Sequence, residues 1–144
     1  MKSRLKSRTV KFYRSGYGVL ILATGFTVVA MVYAAQPWGD NYAYKNLSAY
    51  LSLFGFMLWA VSPYLVLAFI LYFCRNNSTS MTIAFIGTVI IVLAAAVILV
   101  DAFFIHLDAQ GALVILFLPV YQWLAAFLLI LICAVLGSLF RPSQ

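Results

Sequence analysis

The only histidine of the chain, His106, lies between Asp101 and Asp108 in the segment Asp101-Ala-Phe-Phe-Ile-His106-Leu-Asp108-Ala-Gln110. Carboxylates beside an imidazole can ligate a metal or exchange a proton. The spacing matches no metal motif, and Asp40 is the one further acid in the chain. Polar residues that end two helices at a water boundary account for the same pattern. Asp108 also precedes a long apolar run, where a carboxylate caps free N–H groups and complements the helix dipole. Asp40, Asp101, His106 and Asp108 are therefore read first as boundary residues and second as a surface for recognition. No metal is expected.

A second group surrounds Pro119-Val-Tyr121-Gln122-Trp123, well inside an apolar stretch. An amide in apolar surroundings needs a partner, and a proline leaves the carbonyl four residues earlier, Ile115, without its helical donor. Ser62-Pro63-Tyr64 carries a similar arrangement. These residues predict a hydrogen-bonded cluster of Ser62, Tyr64, Tyr121 and Gln122 between two helices. Each bond of that kind is worth roughly 0.6–2 kcal/mol in lipid. The likeness of the two Pro/Tyr stretches is also what a duplicated hairpin would leave, although two prolines and two tyrosines are slender support.

A third pattern is a stripe of small and polar residues at Ser48, Ser52, Gly55, Trp59 and Ser62, with steps of 4, 3, 4 and 3. Such steps hold one helix face. Small residues let helix backbones approach in a membrane, so the stripe reads as a packing seam, with a pore lining as the lesser alternative. Shorter seams are expected at Gly18, Gly25 and Val32, at Ala84, Gly87, Ile91, Ala94 and Ile98, and at Gln122, Ala126, Cys133 and Gly137.

The elements that must position these residues follow from composition. Of 144 residues, 66% are apolar and 8% charged, against about 45–50% and 25% in soluble domains. Twelve charged side chains cannot cover a water-facing surface of this size, so the chain is expected to be an integral membrane protein. Four continuous apolar segments, Gly18–Ala35, Leu47–Phe73, Met81–Val100 and Gly111–Phe140, each reach the length of about 20 residues that a spanning helix needs. None alternates as barrel strands do. The pieces between them are too short for a soluble domain. The expected fold is all-α: one polytopic domain over residues 1–144, an up-down bundle of four transmembrane helices preceded by a basic segment, 1–17.

Eight of the nine basic residues fall on one side of such a bundle: Lys2, Arg4, Lys6, Arg8, Lys11, Arg14, Arg75 and Arg141. The other side holds Lys45 and all three acids. The positive-inside rule then places both termini in the cytoplasm. The same charges answer the suggestion of nucleic-acid binding raised by a pI of 9.6, because basic residues beside a span rest on anionic lipid. Val32-Tyr33-Ala34 resembles a signal-peptide cleavage site, but the apolar run before it exceeds the 7–15 residues usual for one, which favours a retained helix. Tyr42, Tyr44, Tyr50 and Trp38 at one boundary and Tyr13, Tyr17 and Tyr72 at the other read as interfacial anchors. Cys74 and Cys133 read as small apolar packers on the reducing side, without a structural disulfide. The Asn-X-Ser/Thr matches at Asn46, Asn76 and Asn77 read as chance.

No acidic or basic residue lies deep in a span, although proton-coupled carriers normally need one. The four short-loop helices resemble small multidrug transporters in format. Those proteins rely on a glutamate in the first helix, and Gly18–Ala35 has none, so that family is set aside. HExxH, GxSxG, CxxC and Walker patterns are absent, and no cofactor is expected. The expectation is a small non-enzymatic protein of a bacterial inner membrane acting through contacts with another membrane protein. An immunity protein against a membrane-targeting toxin and a regulatory or assembly subunit both fit. The alternative is a homo-oligomeric channel or carrier, with Gln122 and the serine stripe facing a shared pore.

Overall fold

A computed structural model describes residues 2–37, 46–105 and 111–139, with side chains from Val10 onward and, in the last helix, over 113–136. Asp40, His106 and Asp108 lie outside the described residues, as do Trp38, Tyr42, Tyr44, Lys45 and Arg141. The described residues form four helices and short connections: α1 (Lys2–Ala35), α2 (Leu47–Cys74), α3 (Ser78–Val100) and α4 (Gly111–Leu139). All four are long and apolar enough to cross a membrane. Only 28% of each spanning window is buried. Much of the remainder is exposed apolar side chain, Leu22, Phe54, Phe73, Val97 and Phe127 among them, and contiguous apolar surface of that extent suits hydrocarbon rather than water. The chain is an integral membrane protein built as a helical bundle.

The helices differ from the sequence expectation at two ends. Lys2–Arg14 is the opening of α1 rather than a separate segment, since neither glycine nor proline interrupts Lys2–Ser15 and its Lys, Arg and Leu favour helix. At the far end of α3 the chain keeps winding past Val100 as a π-helical turn, Asp101–Ile105. Asp101 is thus helical rather than the start of a loop. Phe103 in this turn is buried beside Ala30, Ala95, Leu99 and Leu118, and Phe104 stacks on Tyr33 with ring centres 5.4 Å apart. These contacts hold the turn against the bundle.

Helix ends are set by local chemistry. Asn77 caps α3, its side-chain oxygen accepting from the N–H groups of Thr79 at 3.0 Å and Ser80 at 3.3 Å. α1 stops at Gln36, whose φ of 42° is left-handed, and Pro37 follows, which cannot extend the helix.

α1 packs on α2 and α3, and α4 packs on α2 and α3, so four pairs close a ring. α2 and α3, joined by only three residues, meet less extensively, across the diagonal. Of the sequential pairs, α1–α2 and α3–α4 are close neighbours, and α2–α3 only weakly so. Between α1 and α2 the bonded pairs run in opposite chain order, Tyr17 with Ala68 and Thr27 with Tyr64. The buried faces keep helical steps: Leu20, Ala23, Thr27 and Ala30 on α1; Ala60, Tyr64, Leu67 and Leu71 on α2; Ala84, Thr88, Val92, Ala95 and Leu99 on α3; Gln122, Ala126, Leu129 and Cys133 on α4. Two glycines mark close helix approaches, Gly16 against α2 and Gly87 against α4. A Cβ at Gly16 would stand 2.7 Å from Leu71, and one at Gly87 would collide with Leu129.

Candidate functional site

The two prolines inside helices, Pro63 and Pro119, are both fully buried. Each lacks an N–H, so the carbonyls of Trp59 and Ile115 lose their usual helical donors. The Ser62 hydroxyl donates to the Trp59 carbonyl at 2.7 Å. Trp123 on α4 then donates its indole N–H to Ser62 Oγ at 3.1 Å. In the other direction, Trp59 on α2 donates its indole N–H to the Leu116 carbonyl of α4 at 3.2 Å. The two proline-bearing helices are laced by reciprocal tryptophans, each bonding close to the other helix's proline.

One layer inward, all four helices meet around a cavity of about 10 Å³. Its lining includes Thr27 from α1, Tyr64 from α2, Leu99 from α3 and Gln122 from α4. Thr27 and Tyr64 share a hydrogen bond of 2.9 Å between their hydroxyls. Gln122 is 4% exposed, and its amide nitrogen has no partner. Thr88 Oγ1 is likewise buried without a partner. The cavity is at the lower limit of what one water occupies, about 10–15 Å³. It provides a polar centre and no room for a substrate.

The four residues expected to form one cluster are thus distributed over three places. Ser62 belongs to the tryptophan lacing, Tyr64 and Gln122 line the central cavity, and Tyr121 is 65% exposed. Proline and glutamine drew attention to the right stretch, but the partners differ. Trp123 stands next to the expected residues, and Trp59 falls in the small-residue stripe, whose spacing suggests a seam or a pore lining rather than this bond. Thr27 carried no signal beyond its place on the inward face of α1.

The stripe on α2 is turned outward. Ser48, Ser52, Gly55 and Trp59 are all exposed. Nothing lies within 4 Å of a Cβ added at Gly55, and Ser52 bonds only back to the Ser48 carbonyl, at 2.9 Å. Over Ser48, Ser52 and Gly55 it is not a seam between this chain's own helices; only its far end, Trp59 and Ser62, bonds to α4, and the buried contact of α2 runs along Ala60, Pro63, Tyr64, Leu67, Ile70 and Leu71. Gly18 and Gly25 on α1 are open in the same way. The α3 pattern begins on the buried face at Ala84 and drifts outward to Ala94 and Ile98, whereas Gln122, Ala126 and Cys133 stay inside. Of the expected outer patch only Asp101 is described, exposed at the start of the π turn. Among the described residues no three His, Cys, Asp or Glu side chains converge as a metal site would require.

Fold and site together define a helical integral membrane protein with a small central cavity lined in part by Thr27, Tyr64 and Gln122, and with an exposed small-residue face. Comparison with protein-family models, with curated proteins and with solved structures gave no match.

Proposed function

We propose that this is a non-enzymatic membrane protein that works by pairing the outward face of α2 with a helix of another membrane protein. The observation that carries the reading is the open stripe Ser48, Ser52 and Gly55. Close backbone approach and serine hydrogen bonds are what drive helix pairing in lipid. A helix surface meant only for acyl chains gains nothing from such residues. Up-down topology with both ends in the cytosol of a bacterial cell is the arrangement proposed from the basic residues. Two settings suit the format: immunity, in which pairing with toxin helices prevents a pore from opening, and a regulatory or assembly subunit of a larger complex.

The placement of Gln122 weighs against a pore shared between copies. It lies within the core of a single chain, and the cavity it lines holds one water at most. The test combines two measurements. Purified protein should be silent in planar bilayers at high load, and an associated membrane protein retained by the wild type should be lost on Gly55→Leu. Selective conductance abolished by Gln122→Leu would overturn the proposal.

A further inference from the structure

The chain has two cysteines, 59 positions apart. The fold brings both to one groove between α2 and α4. Its volume is about 450 Å³, and its lining includes Phe69, Phe73, Cys74, Ser80 and Cys133. Both cysteines line this groove, Cys74 from α2 and Cys133 from α4. Cys74, the last residue of α2, is half-buried and open to the groove. Cys133 is 6% exposed, and its sulfur contacts the Ser80 carbonyl at 3.8 Å. A pair of thiols with one accessible member and one sheltered member has the layout of a reacting and a resolving cysteine.

We propose that Cys74 and Cys133 form a reversible oxidation site that takes a peroxide as oxidant and closes a disulfide between α2 and α4. This reading is independent of the role proposed for the outer face of α2. The Cys74 sulfur attacks one peroxide oxygen, and the O–O bond breaks. Cys74 becomes a sulfenic acid, and with hydrogen peroxide the released hydroxide leaves as water with the thiol proton. The Cys133 sulfur then attacks the Cys74 sulfur. An S–S bond forms, the S–O bond breaks, and a second water carries off the Cys133 proton. The two thiols lose two hydrogens and two electrons in total, and the peroxide is reduced to two waters. Thiol reductants return both cysteines. The closed form ties the end of α2 to α4, on helices already joined by Trp59 and Trp123.

The test uses the full chain in lipid nanodiscs, fully reduced and then exposed to hydrogen peroxide. Intact-mass and peptide analysis should show loss of both alkylatable thiols, a mass lower by two hydrogen atoms, and a Cys74–Cys133 linked peptide. The reductant should restore all three. In Cys133→Ser, a sulfenic-acid probe should label Cys74, whereas in the wild type it should not. Retention of both free thiols would overturn the proposal, as would a disulfide joining two chains or a Cys74 oxidised further while Cys133 stays alkylatable. The wild-type measurement stands whether or not the variant folds.

Discussion

Trp123 on α4 donates its indole N–H to the Ser62 hydroxyl of α2 at 3.1 Å, and that hydroxyl in turn donates to the Trp59 carbonyl at 2.7 Å. One serine thus serves a carbonyl left bare by Pro63 and receives the neighbouring helix. Deleting either partner should weaken the α2–α4 pair. Ser62→Ala and Trp123→Phe are each expected to cost about 0.6–2 kcal/mol. Because they remove the same bond, the double variant should cost less than the sum. A double-mutant cycle from reversible unfolding in mixed micelles measures this, and strict additivity would separate the two residues.

The Thr27–Tyr64 bond should behave the same way. Both hydroxyls are buried and bonded at 2.9 Å. Removing one leaves the other without a partner, at roughly 1–3 kcal/mol. Tyr64→Phe and Thr27→Val should therefore each lower stability, and their combination should recover part of the loss. Equal stability in all three variants would mean that the bond contributes nothing.

Gln122→Leu should move in the opposite direction. The buried amide nitrogen has no partner, so replacing it with an apolar side chain of similar size removes a cost of about 1–3 kcal/mol. Thermal unfolding in detergent should show a midpoint equal to or above that of the wild type. A clear drop would indicate that Gln122 is held by groups other than those that line its cavity.

Two glycines separate packing inside the chain from packing outside it. A leucine at Gly87 must displace Leu129 and should cost about 1–3 kcal/mol. A leucine at Gly55 meets nothing in the chain, and helix propensity favours it by up to about 1 kcal/mol. Unfolding measurements on the two variants should therefore diverge in sign. Comparable destabilisation would place the Gly55 face inside the fold.

The left-handed Gln36, φ 42°, offers a simpler check. Gln36→Gly relieves a conformation that costs an L-residue about 1–2 kcal/mol and should raise stability by a fraction of that, as read from the same unfolding transitions.

Composition and run length made four spanning helices legible, because hydrocarbon demands long uninterrupted apolar stretches and little else satisfies that demand. The faces were harder to read. On a soluble helix the polar side marks the exterior, whereas here both sides of α2 are apolar, and its small residues fit an inner or an outer contact equally well. Spacing groups Ser52 and Gly55 on one face, yet only the packing of Tyr64 and Leu67 shows that this face is the open one. Proline announced the orphaned carbonyls, of which Ser62 serves that of Trp59, but the bonds that join the two helices come from Trp59 and Trp123, whose register depends on how α2 and α4 sit together. The groove that Cys74 and Cys133 share is tertiary in the same sense. Gly16 carried no pattern at all, although it permits one of the tightest helix approaches.

The pairing role of α2 is tested most directly by photocrosslinking in native membranes, with a benzophenone side chain placed at Ser52 or, as a control on another exposed face, at Leu58. Ser52 should yield one discrete protein adduct that Leu58 does not, and Gly55→Leu should abolish it. Lipid adducts alone at Ser52, the same products from both positions, or an adduct indifferent to Gly55→Leu would contradict the account.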